Sequence, residues 1–557
     1  MDKKHFFKNY LSKYVIILLF FAVISIVSIY FSHIYEQRII TGDDIQFHKN
    51  RIEGLYQALS NGDLFPRLNM TFLNSMGYAS SIFYSDIFIY IPAIFRLIGF
   101  SITESYVAFL IIINFATFII AYHSMFNVTK KNYNSLLFSV IYTLSTYRLL
   151  DMTTRAALGE LLAFAFLPLA FLGVYHIFYG EQKKWYFLSL GMSLIIFSHL
   201  LSAVMFALFI FLFMILNFKK LLQNRVRLTS LVKAVLTTLP LVSLYFIPVL
   251  EQLASQTFKV GAAPIFFMSD KASNLGNMFL NALSNKSTPN IGIILLLFLF
   301  LYSLFFKKVT TKSTKDLFLI SIFFLLLSTD LFPWKLLDGT FLNTFQFPWR
   351  FLTLVTLGLS WIISLDSLKL LMNKKLGLSI IAFSVLLSIS FATNSRQDAN
   401  EEDIVSFKQF NEISSFNIGV GLEYLPEATN YENLKTRNLD LSYNPDAVTI
   451  VNYVKKEDSV TFEYNTTDKE LITLPLIFYK GYVSENSGSG AASAPFLNKK
   501  EDGLTAITVN GKGKVTVHYK DTLLQSISLY ASLISWVIFT IYLLSLFYRN
   551  IHSYFIK

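Results

Sequence analysis

The chain has 557 residues, 54% of them hydrophobic and only 15% charged, against roughly 45–50% apolar and about 25% charged in an average soluble domain. Its apolar residues recur in runs of about 17–23, the length that crosses a bilayer core, which excludes an ordinary soluble protein and indicates a polytopic α-helical membrane protein. The absence of cysteine excludes disulfides, thiolate metal sites and cysteine nucleophiles. The formal charge of +11 divides into −6 over residues 394–521 and +17 over the remainder, a pattern of loop-charge topology that calls for no nucleic-acid partner.

In chain order, Lys3, Lys4, Lys8 and Lys13 make the N-terminus basic and, by the positive-inside rule, cytoplasmic. The apolar run at about 14–31 is too long for a signal-peptide core and lacks a small-residue cleavage site, so it reads as a retained anchor. Immediately after it, in a first outer loop taken as 33–103, come the adjacent carboxylates Asp43 and Asp44, then His48 and Arg51. On a helix Asp44, His48 and Arg51 share one face, because positions three and four apart stack. Such an acid–imidazole–guanidinium face suggests proton-transfer chemistry on a phosphate-bearing substrate; its ordinary reading is a solvated loop with a capped helix start. The rest of the loop, with Pro66, Pro92 and a semi-apolar 82–100 run holding Asp86 and Arg96, reads as helices lying at or dipping into the interface.

Further apolar runs alternate with inward lysine pairs: Lys130-Lys131, Lys183-Lys184, Lys219-Lys220, Lys307-Lys308 and Lys374-Lys375. Twelve spans with both termini inside satisfy all of these pairs, the last one leading to a tail with Arg549 and Lys557. The expected organisation is a transmembrane domain at 1–393, an exported β-rich domain at 394–522, and a final span with its tail at 523–557. The middle segment alternates apolar and polar residues with period two, as in Val460-Thr461-Phe462-Glu463-Tyr464 and Val515-Thr516-Val517-His518-Tyr519, and reads as a small β-sandwich-like domain.

This topology places Asp44, His48, Arg51 and Arg67 on the outer side, together with Arg148, Asp151, Arg155 and Glu160. His199, Glu251 and Arg350 fall there too. Ionisable residues at membrane depth are costly and tend to mark function, and these gather at one face from many loops, as in a composite site. Each also has an ordinary reading: snorkelling or interfacial anchors for Arg148, Arg155 and Arg350, a capped or hydrogen-bonded helix end for Glu160 and His199, and a solvated span end for Glu251.

The same residues carry a family likeness. The patterns Gly42-x-Asp44-x-x-Phe47-His48-x-x-Arg51-Ile52, Arg148-x-x-Asp151-x-x-x-Arg155-x-x-x-Gly159-Glu160, Gln346-Phe347-Pro348-Trp349-Arg350-Phe351 and Glu423-Tyr424-Leu425-Pro426 resemble those of bacterial YfhO-type multispan membrane proteins, some of which carry the label 6-pyruvoyl-tetrahydropterin synthase-related. That family in turn resembles the GT-C glycosyltransferases. The resemblance implies a GT-C-like membrane fold in the bacterial plasma membrane, with its active site on the extracytoplasmic face. It implies transfer of a sugar from a polyprenyl-phosphate carrier (an undecaprenyl-phosphate sugar) to a cell-surface polymer or glycolipid. Asp44 is then the first candidate for general base and Asp43 the second, with His48 beside them. The substrate-binding candidates are Arg51, Arg148, Asp151, Arg155, Glu160, His199 and Arg350, the arginines suiting a lipid phosphate leaving group. The carboxylates are compatible with a divalent cation, but no dedicated metal-ligand cluster shows. The alternative is a transporter or flippase of lipid-linked sugars, and a third reading is a scaffold for envelope assembly. Transporters usually hold their charges near the bilayer midplane, whereas here they lie at one edge.

Overall fold

A computed structural model describes residues 3–262 and 264–556; Lys557 and the side chains of Lys3, Lys4 and Lys8 lie outside the described residues. The apolar runs fold as helices. In chain order these are α1 (Lys3–Ile29), α2 (Ile45–Ser60, after strand β1, Arg38–Ile40), α3 (Ile102–Thr129), α4 (Asn132–Thr143) and α5 (Thr146–Met152). Next come α6 (Leu158–Phe178), α7 (Tyr186–Ser198), α8 (Leu200–Leu216), α9 (Arg225–Leu241) and α10 (Ser243–Ser255). The series continues with α11 (Gly292–Leu304), α12 (Lys312–Leu327), α13 (Leu352–Leu365) and α14 (Lys374–Asp398), and ends with α15 (Leu523–Ile556).

Twelve spans are not what this structure supports. Among the described residues six helices are long and apolar enough to cross a membrane, or seven if α9 and α10, bent by 73° at their junction, count as one. The difference arises where helices break inside apolar sequence. Helix α4 has 12 residues, α7 13 and α11 13, so each rises only about 20 Å against a hydrocarbon core of about 30 Å. α4 gives way at Leu144, and His199 lies in extended backbone between α7 and α8. Hydropathy counts apolar residues and does not register such breaks.

The chain divides into two compact units: residues 1–49, 90–235 and 264–413, and residues 50–89, 236–263 and 414–557. In the first unit small residues let helices approach closely. A Cβ on Gly191 of α7 would fall 2.4 Å from the Ala170 nitrogen on α6, and one on Gly173 would fall 2.1 Å from the Leu188 nitrogen; membrane helices pack by such close contact, since lipid offers no hydrophobic drive. At one end of this unit the lysine-flanked helix termini interlock. Asn134 Nδ2 donates to the Ser364 carbonyl at 2.6 Å and Tyr133 Oη to the Leu371 carbonyl at 3.1 Å. Strand β1 pairs antiparallel with β2 (Ile404–Ser406), also in this unit.

The second unit holds a six-stranded antiparallel sheet of β3 (Thr449–Lys455), β4 (Ser459–Ile477), β5 (Tyr482–Gly488), β6 (Ala491–Ala492), β7 (Phe496–Asn498) and β8 (Leu504–Tyr519), in the order β3-β4-β8-β5 with β6 and β7 also on β8. The expected sandwich is therefore corrected to a single sheet. The alternating runs at 460–464 and 515–519 lie on neighbouring strands: β4 pairs with β8 from Ser459↔His518 to Ile477↔Leu504, with a register shift between Thr466 and Glu470. Val460, Phe462, Ile472, Val515 and Val517 are buried by the alternation that the sequence shows.

The break between α9 and α10 lies between Pro240 and Pro248, each of which removes a helical donor. Within the second unit, Ser532 Oγ (2.6 Å) and Trp536 Nε1 (3.0 Å) of α15 donate to the carbonyl of Leu241 at the bend. Neighbouring helices commonly satisfy backbone groups freed in this way. Replacing both donors (Ser532→Ala with Trp536→Phe) is expected to cost about 1–3 kcal/mol for an unsatisfied buried carbonyl, while either change alone leaves one donor and costs less. Thermal unfolding of the two singles and the double in detergent checks this; a double no worse than the sum of two near-neutral singles removes the role.

Candidate functional site

The site grows from the turn between α5 and α6 in the first unit. Ala157 N–H bonds back to the Asp151 carbonyl at 2.9 Å and Arg155 N–H to that of Leu150 at 3.0 Å, a tight reversal that brings Asp151, Arg155 and Glu160 together. Glu160 lies in the first turn of α6, where the helix dipole favours an acid, and it is 1% exposed. Its two oxygens are fully engaged. Oε1 accepts from Tyr147 Oη at 2.8 Å and Thr353 Oγ1 at 3.0 Å, while Oε2 accepts from Arg155 Nη1 at 2.7 Å and faces Arg350 Nε at 3.6 Å. Arg155 also pairs with Asp151, its i−4 neighbour, whose Oδ2 is buried without a hydrogen-bond partner.

Aromatic rings hold both arginines in place. Arg155 sits over the Trp349 ring at 4.5 Å and Arg350 over Phe347 at 5.0 Å, and the two rings stack on each other at 4.7 Å. Arg350 further donates through Nη1 to the Phe345 carbonyl (2.8 Å) and Gln346 Oε1 (3.0 Å). Its Nε is enclosed without a hydrogen bond.

Asp43 and Asp44 reach this cluster through the backbone. Asp43 N–H bonds to the Thr154 carbonyl at 3.1 Å and Asp44 N–H to that of Arg155 at 3.0 Å. Gly42 permits the approach: its φ is +58° and a Cβ there would lie 2.7 Å from both the Ala156 Cβ and the Thr153 oxygen. On the far side the Thr41 N–H bonds to the Asp403 carbonyl at 2.8 Å, continuing the β1–β2 pair. The Asp44 carboxylate meets solvent yet is set low among packed protein. This desolvation pushes it above the ordinary carboxylate range; Arg155 and Arg350 oppose the rise and Glu160 adds to it. Asp43 is also pushed up, by desolvation and then by the Asp44 charge, against the pull of Arg155. Burial raises Asp151 well above its usual value, and Glu160 adds to this while Arg155 draws it down. Among the described residues neither Asp43 nor Asp44 has a side-chain hydrogen bond or ion pair, which leaves two accessible carboxylates beside two arginines.

The structure thus brings together Asp43, Asp44, Asp151, Arg155, Glu160 and Arg350. His199 bonds through Nδ1 to Ser202 Oγ at 2.8 Å and lies within the field of Arg350 and Glu160. The remaining candidates make contacts of their own. Arg148 is fully buried and donates to Asn114 Oδ1 (2.8 Å), the Thr143 carbonyl (3.0 Å) and Thr117 Oγ1 (3.0 Å). His48 is buried with its ring edge-on to Phe47 at 5.4 Å. Arg51 belongs to the second unit, where it pairs with Asp86 at 2.8 Å and lies over Tyr84 at 4.1 Å. Glu251 is also in that unit, accepting from Thr522 Oγ1 at 2.8 Å. The Glu423–Pro426 motif packs there as well, with Tyr424 stacked on Phe83 at 5.0 Å. Sequence reasoning missed Tyr147 and Thr353. Thr353 is one helical turn past Arg350, a spacing that marks it as a neighbour; nothing local marks Tyr147.

Fold and site together define a helical membrane protein with a buried ion-paired cluster at the ends of its helices and a C-terminal sheet. Residues 18–411 match the family described as bacterial membrane protein YfhO, and the chain belongs to that family. A protein of Lactococcus lactis subsp. cremoris (strain MG1363), described as uncharacterized, is 24% identical over 351 residues, or 59% of this chain. The chain spans 55% of that relative's length.

Removing one member of a buried ion cluster strands the charges left behind. Glu160→Gln is expected to lose about 3–5 kcal/mol, whereas Thr353→Ala removes one neutral donor and costs about 1 kcal/mol. Thermal melts of the purified variants test the ordering; equal losses would remove Glu160 from its central place.

Proposed function

We propose that this chain is a membrane glycosyltransferase that moves a sugar from a polyprenyl-phosphate carrier to a cell-envelope acceptor, with Asp44 as general base. The observation that supports the reading best is Asp44 itself: an accessible, unengaged carboxylate of raised pKa, placed by backbone hydrogen bonds beside Arg155 and Arg350. In the reaction an acceptor hydroxyl attacks the anomeric carbon while its proton passes to Asp44. The bond from that carbon to the phosphate oxygen breaks, and the lipid phosphate leaves with the electron pair. A positioned base contributes typically 10²–10⁴-fold. Arg350, whose charge acts on Asp44, is the group proposed to meet the growing phosphate charge. Arg155 is fixed by two carboxylates and orients the pocket. A single displacement inverts the anomeric configuration.

Helix α6 supports an extracytoplasmic location. Its 21 residues rise about 31 Å, close to the hydrocarbon thickness. Glu160 stands at its N-terminal end, while Lys220 and Arg227 bond the carbonyls of Phe178 and Ile177 at the other. With the basic end in the cytoplasm, the site opens on the extracytoplasmic face of the plasma membrane.

Reconstituted protein given radiolabelled undecaprenyl-phosphate sugars and crude envelope acceptor is expected to transfer sugar. Asp44→Asn should lose at least about 100-fold and Asp43→Asn far less. Because the base works unprotonated, activity should rise with pH through a midpoint above the usual carboxylate value of about 3.9, and this acidic limb should vanish from the residual activity of Asp44→Asn. Flipping of the lipid without transfer would replace this reading with the transporter.

A further inference from the structure

The first unit carries a second cluster of charge, at the end remote from Glu160. Lys220 Nζ donates to the Phe178 carbonyl at 2.7 Å and stands 5.2 Å from the Tyr179 ring centre. Arg227 Nη1 donates to the Ile177 carbonyl at 2.5 Å, and its Nε is enclosed without a hydrogen-bond partner. Lys312 Nζ reaches Asp316 Oδ2 at 2.5 Å and Asn217 Oδ1 at 3.0 Å. Lys312 pairs with the Asp316 carboxylate, and Lys220 lies within the field of Arg227, Lys312 and Asp316; that carboxylate is already engaged, since the same Oδ2 takes Tyr179 Oη at 2.5 Å and Asn217 Nδ2 at 3.0 Å. The mutual repulsion is visible at Lys220, which is lowered first by burial and then by Arg227 and Lys312, with Asp316 opposing.

Helix C-termini account for part of this, since the last carbonyls of α6 favour cations. They do not supply a counter-charge for all three. The connector beside the cluster adds an independent feature: Phe218, Leu222 and Val226, four residues apart, are 59%, 59% and 52% exposed. Apolar side chains interleaved with Lys219, Lys220, Arg225 and Arg227 are the pattern of a segment seated at a bilayer surface, stems and rings in the acyl boundary and charges at the headgroups.

We propose that Lys220, Arg227 and Lys312 form a docking surface for the phosphate headgroup of an anionic membrane lipid, with Phe218, Leu222 and Val226 against its acyl chains. The missing negative charge is a phosphodiester, and the exposed apolar flank selects a lipid over a free anion. The surface is separate from the Asp44 pocket and stands whether or not the protein transfers sugar.

The test is a titration of the full-length protein in detergent micelles with phosphatidylglycerol or phosphatidylcholine, bound lipid being counted by native mass spectrometry. Wild type should prefer phosphatidylglycerol by at least about tenfold. Each neutralised cation should cost about fivefold of that preference, so Lys220→Gln with Arg227→Gln should come close to abolishing it. Arg227→Lys keeps the charge while disturbing the same carbonyl contact and should retain the preference, which separates headgroup binding from a purely structural cap. Equal binding of the two lipids by wild type would overturn the proposal. So would a preference unchanged in the double variant, or displacement of phosphatidylglycerol by inorganic phosphate at matching concentration, which would assign a free-anion site.

Discussion

A carboxylate at 1% exposure is tolerable only if it is closely paired, and Glu160 accepts hydrogen bonds from Tyr147, Thr353 and Arg155 and faces the Arg350 guanidinium at 3.6 Å. These partners come from α5, the α5–α6 turn, α13 and the turn before it. One acid therefore fixes the mutual arrangement of several segments at one end of the first unit. The desolvation of an isolated ion is repaid only with near-complete pairing, so the segments have little freedom to drift apart. Asp151 extends the network through Arg155, and the stacked Phe347–Trp349 pair sets where both guanidinium groups lie.

Upon this frame Asp43 and Asp44 are held by backbone bonds. Asp43 and Asp44 pair with Thr154 and Arg155, Gly42 supplies the positive φ and the absence of a Cβ, and Thr41 joins Asp403 next to the β1–β2 ladder. The Asp44 side chain takes no part in this placement, so its carboxylate is held in position with its oxygens uncommitted. That combination, fixed backbone and free acid near two cations, is what proton abstraction next to a phosphate leaving group requires. Of the neighbouring arginines, Arg155 is tied to Asp151 and Glu160 through Nη1, and Arg148 is committed to Asn114, Thr143 and Thr117.

The second unit shows different use of similar residues. Its Arg51–Asp86 pair and its tyrosines near Tyr424 serve packing, and the Leu241 carbonyl released by the kink is satisfied from α15. A quoted motif such as Glu423–Pro426 is thus part of the architecture: Lys259 and Val260 N–H groups bond to the carbonyls of Leu425 and Glu423 at 3.0 and 3.1 Å.

The sequence by itself determined that the chain is a helical membrane protein and that a β-rich segment precedes its last helix, and it marked the charges at 43–44, 148–160 and 350 as candidates for one site. It could do so because bilayer length, period-two alternation and lysine placement are each written locally. The number of helices long enough to span, the single sheet, and the grouping within the charged site were decided by tertiary structure. Helix breaks at Leu144 and His199 depend on what packs around them, and β4 runs through a register shift because β8 pairs with both its halves. Arg148 and Arg155 stand seven residues apart in one motif, yet one turns to Asn114 and the other to Glu160. The nearest donor or acceptor for a buried charge comes from another helix, and only the fold brings it there.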